Sequence, residues 1–173
     1  TLRGHGVLEP AVINEELGPF DATLHVPAFF EGGRTTVNGV HLLDGIPVHL
    51  SQFAKDTIFG YKNSNLDMWL QEKSEGKIAS EDVVRFKLST LDQAADSEIG
   101  LNHLIEDLCA LSDNQPVIVD ATYPRHLVAL SKAIRHLRGK KRFLFRSAAS
   151  LINAFANLPP QSFQASDFAS LRL

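Results

Sequence analysis

The sequence is poor in several things at once. It has one cysteine, Cys109, one methionine and one tryptophan, Trp69. A single cysteine excludes an internal disulfide and suits a reducing compartment. Cys109 lies in an apolar helical pattern with no basic neighbour, so a buried structural thiol is expected rather than a nucleophile. No apolar run approaches the roughly 20 residues that span a bilayer, and no signal peptide is visible. Charge of one sign is also scarce. With 17 basic and 20 acidic residues the formal net charge is −3, which gives no field suited to nucleic acid or a membrane surface. A cytoplasmic protein that binds neither is expected. The seven histidines lack zinc-site spacing, and there is no Gly-x-Ser-x-Gly elbow, Walker loop or Gly-x-Gly-x-x-Gly turn.

What is present is a chain of 173 residues, 44% hydrophobic, enough for one domain with a real core. It opens on Thr1 without a methionine, and Thr1-Leu-Arg-Gly-His-Gly6 is turn-like; a preceding segment is expected. Val7, Leu8, Ala11, Val12 and Leu17 recur at helical spacing up to a Gly18-Pro19 stop, predicting a helix with one apolar face. Ala22–Phe29 reads as a buried strand. Asp44-Gly45, between Thr36–Leu43 and Ile46–Leu50, predicts a hairpin. Alternation puts Val37, His41 and Leu43 on one face of that ribbon, with His41 packed in it.

Asn65–Lys73 fits a helix with Leu66, Trp69 and Leu70 inward, and Val83–Leu88 a strand, with Leu91–Ser97 as the loop after it. Leu101, Leu104, Ile105, Leu108 and Leu111 give a helix, and Pro116–Asp120 a continuous apolar strand ending in an acid. Thr122 then caps a helix carrying Leu127, Leu130, Ile134 and Leu137. The basic run Arg135–Arg142 reads as dipole complement and solvated turn. Arg142–Phe145 is a last strand, with Ser147 at the junction to a helix over Leu151–Asn157. Strand, loop and helix alternate, so the fold class is α/β: a three-layer sandwich with a largely parallel sheet plus a β-hairpin. Residues 1–160 form this domain and 161–173 a linker or tail.

Ligands of such sheets collect past the carboxyl ends of the strands. There stand Gly32-Gly33, whose small size admits close approach, then Arg34, a planar fork for carboxylate or phosphate, then Thr35 and Thr36, with hydroxyls for a sugar or an anion. Arg3 precedes a helix N-terminus, another anion-favouring place. The same residues also fit a plain Gly-rich hairpin whose arginine caps a carboxyl end, and Ser147 also fits a helix N-cap.

Three stretches in order go further: Thr1-Leu-Arg-Gly-His5, Ala28-Phe-Phe-Glu-Gly-Gly-Arg-Thr-Thr-Val-Asn-Gly-Val-His41 and Phe145-Arg-Ser-Ala-Ala-Ser150. Together they resemble the four-carbon acid sugar kinase family, ATP-dependent enzymes acting on sugar acids such as threonate and erythronate. The resemblance implies an N-terminal sugar-acid domain here and a nucleotide-binding domain elsewhere. It places Arg3, Gly4, Arg34, Thr35, Thr36 and Ser147 at the substrate site. It implies ATP and Mg²⁺ held mostly by groups outside this chain, and a possible homo-oligomer. Arg146 and Ala149 stand where many relatives carry glycines. The family's Asp-Asp-x-Thr-Gly-like motif is absent, so a non-catalytic sugar-acid-binding or assembly module is the alternative.

Overall fold

Five consecutive buried residues, Ala22–Val26, mark the centre of the molecule. The computed structural model describes residues 2–158, and the expected tail, 161–173, lies outside the described residues. In chain order the elements are α1 (Leu8–Leu17), β1 (Ala22–Val26), β2 (Arg34–Val37), β3 (Val40–Leu43), β4 (Ile46–Pro47), α2 (Leu66–Lys73), β5 (Val84–Phe86), α3 (Leu88–Asp96), α4 (Glu98–Ala110), β6 (Gln115–Val119), α5 (Pro124–His136), β7 (Phe143–Ser147) and α6 (Ala149–Ala156). One sheet has the order β5-β6-β1-β7 and is parallel throughout. One face of its strands is largely apolar, while the other carries Thr23, His25, Arg85 and Arg146 beside Ile118. Ala22, Leu24, Val26, Val117, Val119 and Phe86 pack under Leu91, Leu104, Leu108, Leu127, Leu130 and Leu151 of α3 to α6. Ile118 points the other way, into a second core of Leu2, Val48, Tyr61, Leu66, Trp69 and Leu70. The α/β sandwich is therefore as expected.

The expected hairpin is a three-stranded ribbon, β2-β3-β4. It turns twice, at Asn38-Gly39 and at Asp44-Gly45, with positive φ at all four residues, the signature of type I′ turns. The sequence reading recognised only the second turn. The first reverses the chain so that Val37 pairs with Val40 and Thr36 with His41. Val37 is thus on the opposite face from His41, a correction to the predicted alternation. The ribbon is stitched to the sheet's carboxyl edge by Thr36–Ala121 backbone bonds of 2.9 and 3.0 Å and by Gly39 N–H donating to Asp120 Oδ1 at 2.8 Å.

Other expectations change. Leu91–Ser97 is largely helix, not loop: α3 buries Leu91 and Ala94, three residues apart, against the sheet, so packing overrides a polar sequence. Thr122 does not cap α5. The His126 imidazole does, with Nδ1 accepting from Thr122 N–H at 3.2 Å and Tyr123 N–H at 3.4 Å. Cys109 is exposed, because it stands one residue beyond buried Leu108, about 100° round the helix. In α1 only Pro10 is buried, and Leu8, Val12 and Leu17 face outward. The basic run is more tied down than a solvated turn. Lys141 reaches Asp21 at 2.9 Å and the Leu111 carbonyl at 2.6 Å, and Arg142 donates to the Pro19 and Leu17 carbonyls.

Candidate functional site

β1, β6 and β7 end together, and the chain ahead of α1 lies across that edge. Arg3 is held there by Asp56, Nη1 to Oδ2 3.5 Å, and by the Phe53 ring, 5.0 Å from guanidinium carbon to centroid. Asp56 is aimed by the N–H groups of Ile58 and Phe59, each at 2.9 Å, which also hold its carboxyl below the usual range. The Arg3 side chain is 44% exposed. Water and salt screen an exposed pair of this kind, so a ligand carboxylate can compete for the arginine.

Arg34 opens β2, paired by backbone bonds to Phe29 and with its guanidinium 5.6 Å from the Phe29 ring. Its Nε is buried and has no hydrogen-bond partner among the described residues. Arg3 and Arg34 both act on the hydroxyl of Tyr61, favouring its ionised form against the burial that raises its pKa. Both charges thus lie within electrostatic reach of one buried phenol, although 31 positions separate them in the chain.

The hydroxyls divide. Thr36 shares a ribbon face with Arg34 but is fully buried, and its Oγ1 lies 3.1 Å from His41 Nδ1. Thr35, one residue along, points to the opposite face. His41 is packed as expected, and burial, with the nearby Arg34 charge, lowers its pKa to about 3. Ser147 is the last residue of β7, beside Val26. It is not the N-cap of α6; Ala148 is. Ser150 instead ties α6 to the turn before β2, accepting from Phe30 N–H at 3.1 Å and facing Glu31 at 3.2 Å.

The glycines have internal reasons. Gly33 has φ +66°, and a Cβ there would stand 1.9 Å from Asp44 Oδ1; one on Gly32 would stand 2.5 Å from the Phe29 ring. The close approach inferred for these glycines is made by the chain itself. Gly4 lies beside Arg146, whose Nη2 would be 3.5 Å from a Cβ, and Gly6 lies on the Trp69 indole, 2.5 Å from such an atom.

Residues that the sequence reading did not place at the site complete it. Tyr61 was assigned to a loop and Trp69 to core. His25, inside the central strand, was given no role. A small cavity of about 60 Å³ is lined by Leu2, His25, Pro27, Trp69, Arg146 and Ser147, among others. A larger cleft of about 560 Å³ runs under α1 and α2, floored by Thr23, His25 and Pro116. A histidine in an all-buried strand, and glycines spaced to admit a ring, were the available signals. Asp120 Oδ2 is also buried without a partner; burial pushes its carboxyl up, and Gly39 N–H and Arg85 oppose this. Among the described residues no group of three or more His, Cys, Asp or Glu side chains could hold a metal, so no step is derived through Mg²⁺. No helix among them is long and apolar enough to cross a membrane.

Residues 1–155 match the family described as the sugar-binding N-terminal domain. No curated protein matches the sequence. The fold is that of a Haemophilus influenzae DUF1537 protein, HI1011, with TM-score 0.61 and 19% identity over 86% of this chain and 32% of that one. It is also that of a DUF1537 protein of Bordetella bronchiseptica, solved as a domain-swapped dimer with bound citrate, with TM-score 0.57 and 21% identity over 79% of this chain and 29% of that one. The chain thus spans about a third of the length of these solved relatives. DUF1537 proteins are the four-carbon acid sugar kinase family.

Proposed function

The chain belongs to the sugar-binding N-terminal domain family, and from that premise we propose that it is the sugar-acid-binding part of an ATP-dependent kinase for a four-carbon acid of the threonate or erythronate type. One observation carries this reading: Arg34 keeps a buried N–H without a partner among the described residues, and Arg3 is only loosely engaged by Asp56. A carboxylate between two guanidinium groups satisfies that N–H and needs no further protein charge. Ser147 offers a hydroxyl to the sugar chain at the strand end, whereas Thr35, on the opposite ribbon face from Arg34, does not. Thr36 supports the ribbon through His41. Catalysis in such a kinase is chiefly positioning of the accepting hydroxyl in line with the γ-phosphate. ATP and Mg²⁺ would be held by a nucleotide-binding domain, and the citrate-bound, domain-swapped relative makes small carboxylates and self-association reasonable expectations for this protein.

Calorimetric titration with threonate and erythronate tests the reading. Arg34→Ala is expected to weaken binding by roughly 2–4 kcal/mol, the scale of a lost charged clamp. Absence of binding by the parent chain defeats it. The second reading is a module that binds sugar acids without catalysing their phosphorylation. Phosphorylation of threonate by this chain alone, given ATP, would exclude that alternative.

A further inference from the structure

Arg146 and His25 are aligned neighbours on β7 and β1, so their side chains leave the same face of the sheet. His25 is almost fully buried, and its Nδ1 has no hydrogen-bond partner among the described residues. Trp69 is buried to the same degree, its ring 6.2 Å from that of His25, and its Nε1–H is also unpartnered. A buried polar group left unpaired costs about 1–3 kcal/mol; the Trp69 N–H can only donate and so calls for an acceptor, while His25 Nδ1 donates or accepts with its tautomer. The Arg146 side chain, 37% exposed, has only a loose approach to Glu9, Nε to Oε2 3.8 Å. No hydrogen bond to a described residue occupies its fork, and it stands beside Gly4.

These groups surround the cavity of about 60 Å³. At about 10–15 Å³ per water centre, it admits a few waters or one carboxylate. Its donors are all cationic or neutral N–H groups, with the Ser147 hydroxyl at its rim and no carboxylate in its lining. The Arg146 charge and burial together keep the His25 ring neutral, with its pKa lowered to about 4. A neutral ring can turn either nitrogen into the acceptor or the donor that a ligand requires. Gly6 holds the indole in place, since any side chain there would displace it.

We propose that the cavity between His25, Trp69, Arg146 and Ser147 is a second oxyanion subsite, so that this chain prefers acids charged at both ends over singly charged sugar acids. The inference rests on the sugar-acid reading above. There, Arg3 and Arg34 take one carboxylate; here, Arg146 and the Trp69 N–H take the other end of the same small molecule. Arg146 is then a specificity-determining residue, and its charge selects a diacid or a phosphorylated acid.

Trp69 is the one tryptophan, so its fluorescence reports the cavity directly. The test titrates the chain with threonate and with tartrate, a four-carbon diacid, following Trp69 emission and heat. Tartrate is expected to shift the emission and to bind roughly tenfold or more tighter than threonate, the scale of one charge-assisted hydrogen bond. In Arg146→Gln that ratio should fall towards one. If Arg146→Gln fails to fold, Trp69→Phe, followed by calorimetry, removes the N–H together with part of the ring and should reduce the ratio in the same way. Tartrate binding no tighter than threonate, or a ratio unchanged in a folded variant, overturns the subsite and leaves the sugar-acid reading standing. Arg146-dependent binding of tartrate with no binding of threonate supports the subsite and defeats the monoacid reading. Absence of binding by both acids overturns both.

Discussion

The two faces of the parallel sheet are built to different rules. Under α3 to α6 the contacts are aliphatic, and Leu24, Leu91, Leu104, Leu108, Leu127, Leu130 and Leu151 are fully or nearly fully buried. The polar groups there are matched: His126 is saturated by backbone donors and Asp92, and Ser131 by carbonyls. On the opposite face, under α1 and α2, lie His25, Trp69 and Tyr61, with both cavities beside them. The described side-chain atoms that are buried without partners, on His25, Arg34, His41, Trp69 and Asp120, all lie on this face or at the carboxyl edge. A fold with little margin tolerates unpaired buried groups only where something other than stability requires them. The contrast separates the face that holds the fold from the face on which the proposed binding site lies.

The contrast can be broken by mutation. Leu104→Ala, in the aliphatic layer, is expected to cost about 2–5 kcal/mol in denaturant unfolding and to leave the affinity of the folded protein for sugar acids unchanged. If affinity falls with stability, the two faces are not separable.

A second test uses acid. His25 and His41 are kept neutral by burial, at pKa values of about 4 and about 3 against 6.5 unfolded. Below pH 6.5 the unfolded chain binds protons that the folded one refuses. Their stability is therefore complete above about pH 6.5 and is lost as pH falls towards the folded values. Each histidine contributes about 1.4 kcal/mol per pH unit in that window, so lowering pH from 6 to 5 removes roughly 2–3 kcal/mol. Asp120, whose pKa is raised, acts with the opposite sign, so the useful quantity is the difference between parent and His25→Asn. That variant should lose about half of the slope. Equal slopes would mean that His25 is protonated in the fold.

Gly6→Ala is expected to cost about 1–3 kcal/mol through overpacking, because the new Cβ would stand 2.5 Å from the indole. It should also alter Trp69 emission, which a change on the aliphatic face would not. The smallest effect belongs to a tether outside both faces. Lys141→Ala loses the pair with Asp21, about 0.2–1 kcal/mol, and thermal melts at low and high salt should show the difference shrink as ions screen it.

Most of the scaffold was legible in the chain because its signals are local. Ala22–Val26 and Pro116–Val119 are continuous apolar runs, and α4 and α5 repeat their leucines at helical spacing. Arg34 was legible as a site candidate from its place after a strand. The misreadings have physical causes. α3 carries few apolar residues, and only contact with the sheet makes it a helix. The Asn38-Gly39 turn carries the same signal as Asp44-Gly45 but falls inside Thr36–Leu43, which reads as a single strand, and Cys109 differs from buried Leu108 by a one-residue rotation about α4. Trp69 read as core and is core; its unpaired indole N–H is a further feature with no sequence signature.

Periodicity alone determined the order of strands and helices, since a 3.6-residue or a two-residue repeat is a property of the nearest few side chains. Which charges meet was decided by the folded chain. His25 faces Arg146, and Arg3 and Arg34 share Tyr61, only because parallel strands and a twice-turned ribbon bring distant segments to one edge. Burial removes water from His25 and Tyr61, while Arg3 and Arg146 stay partly exposed.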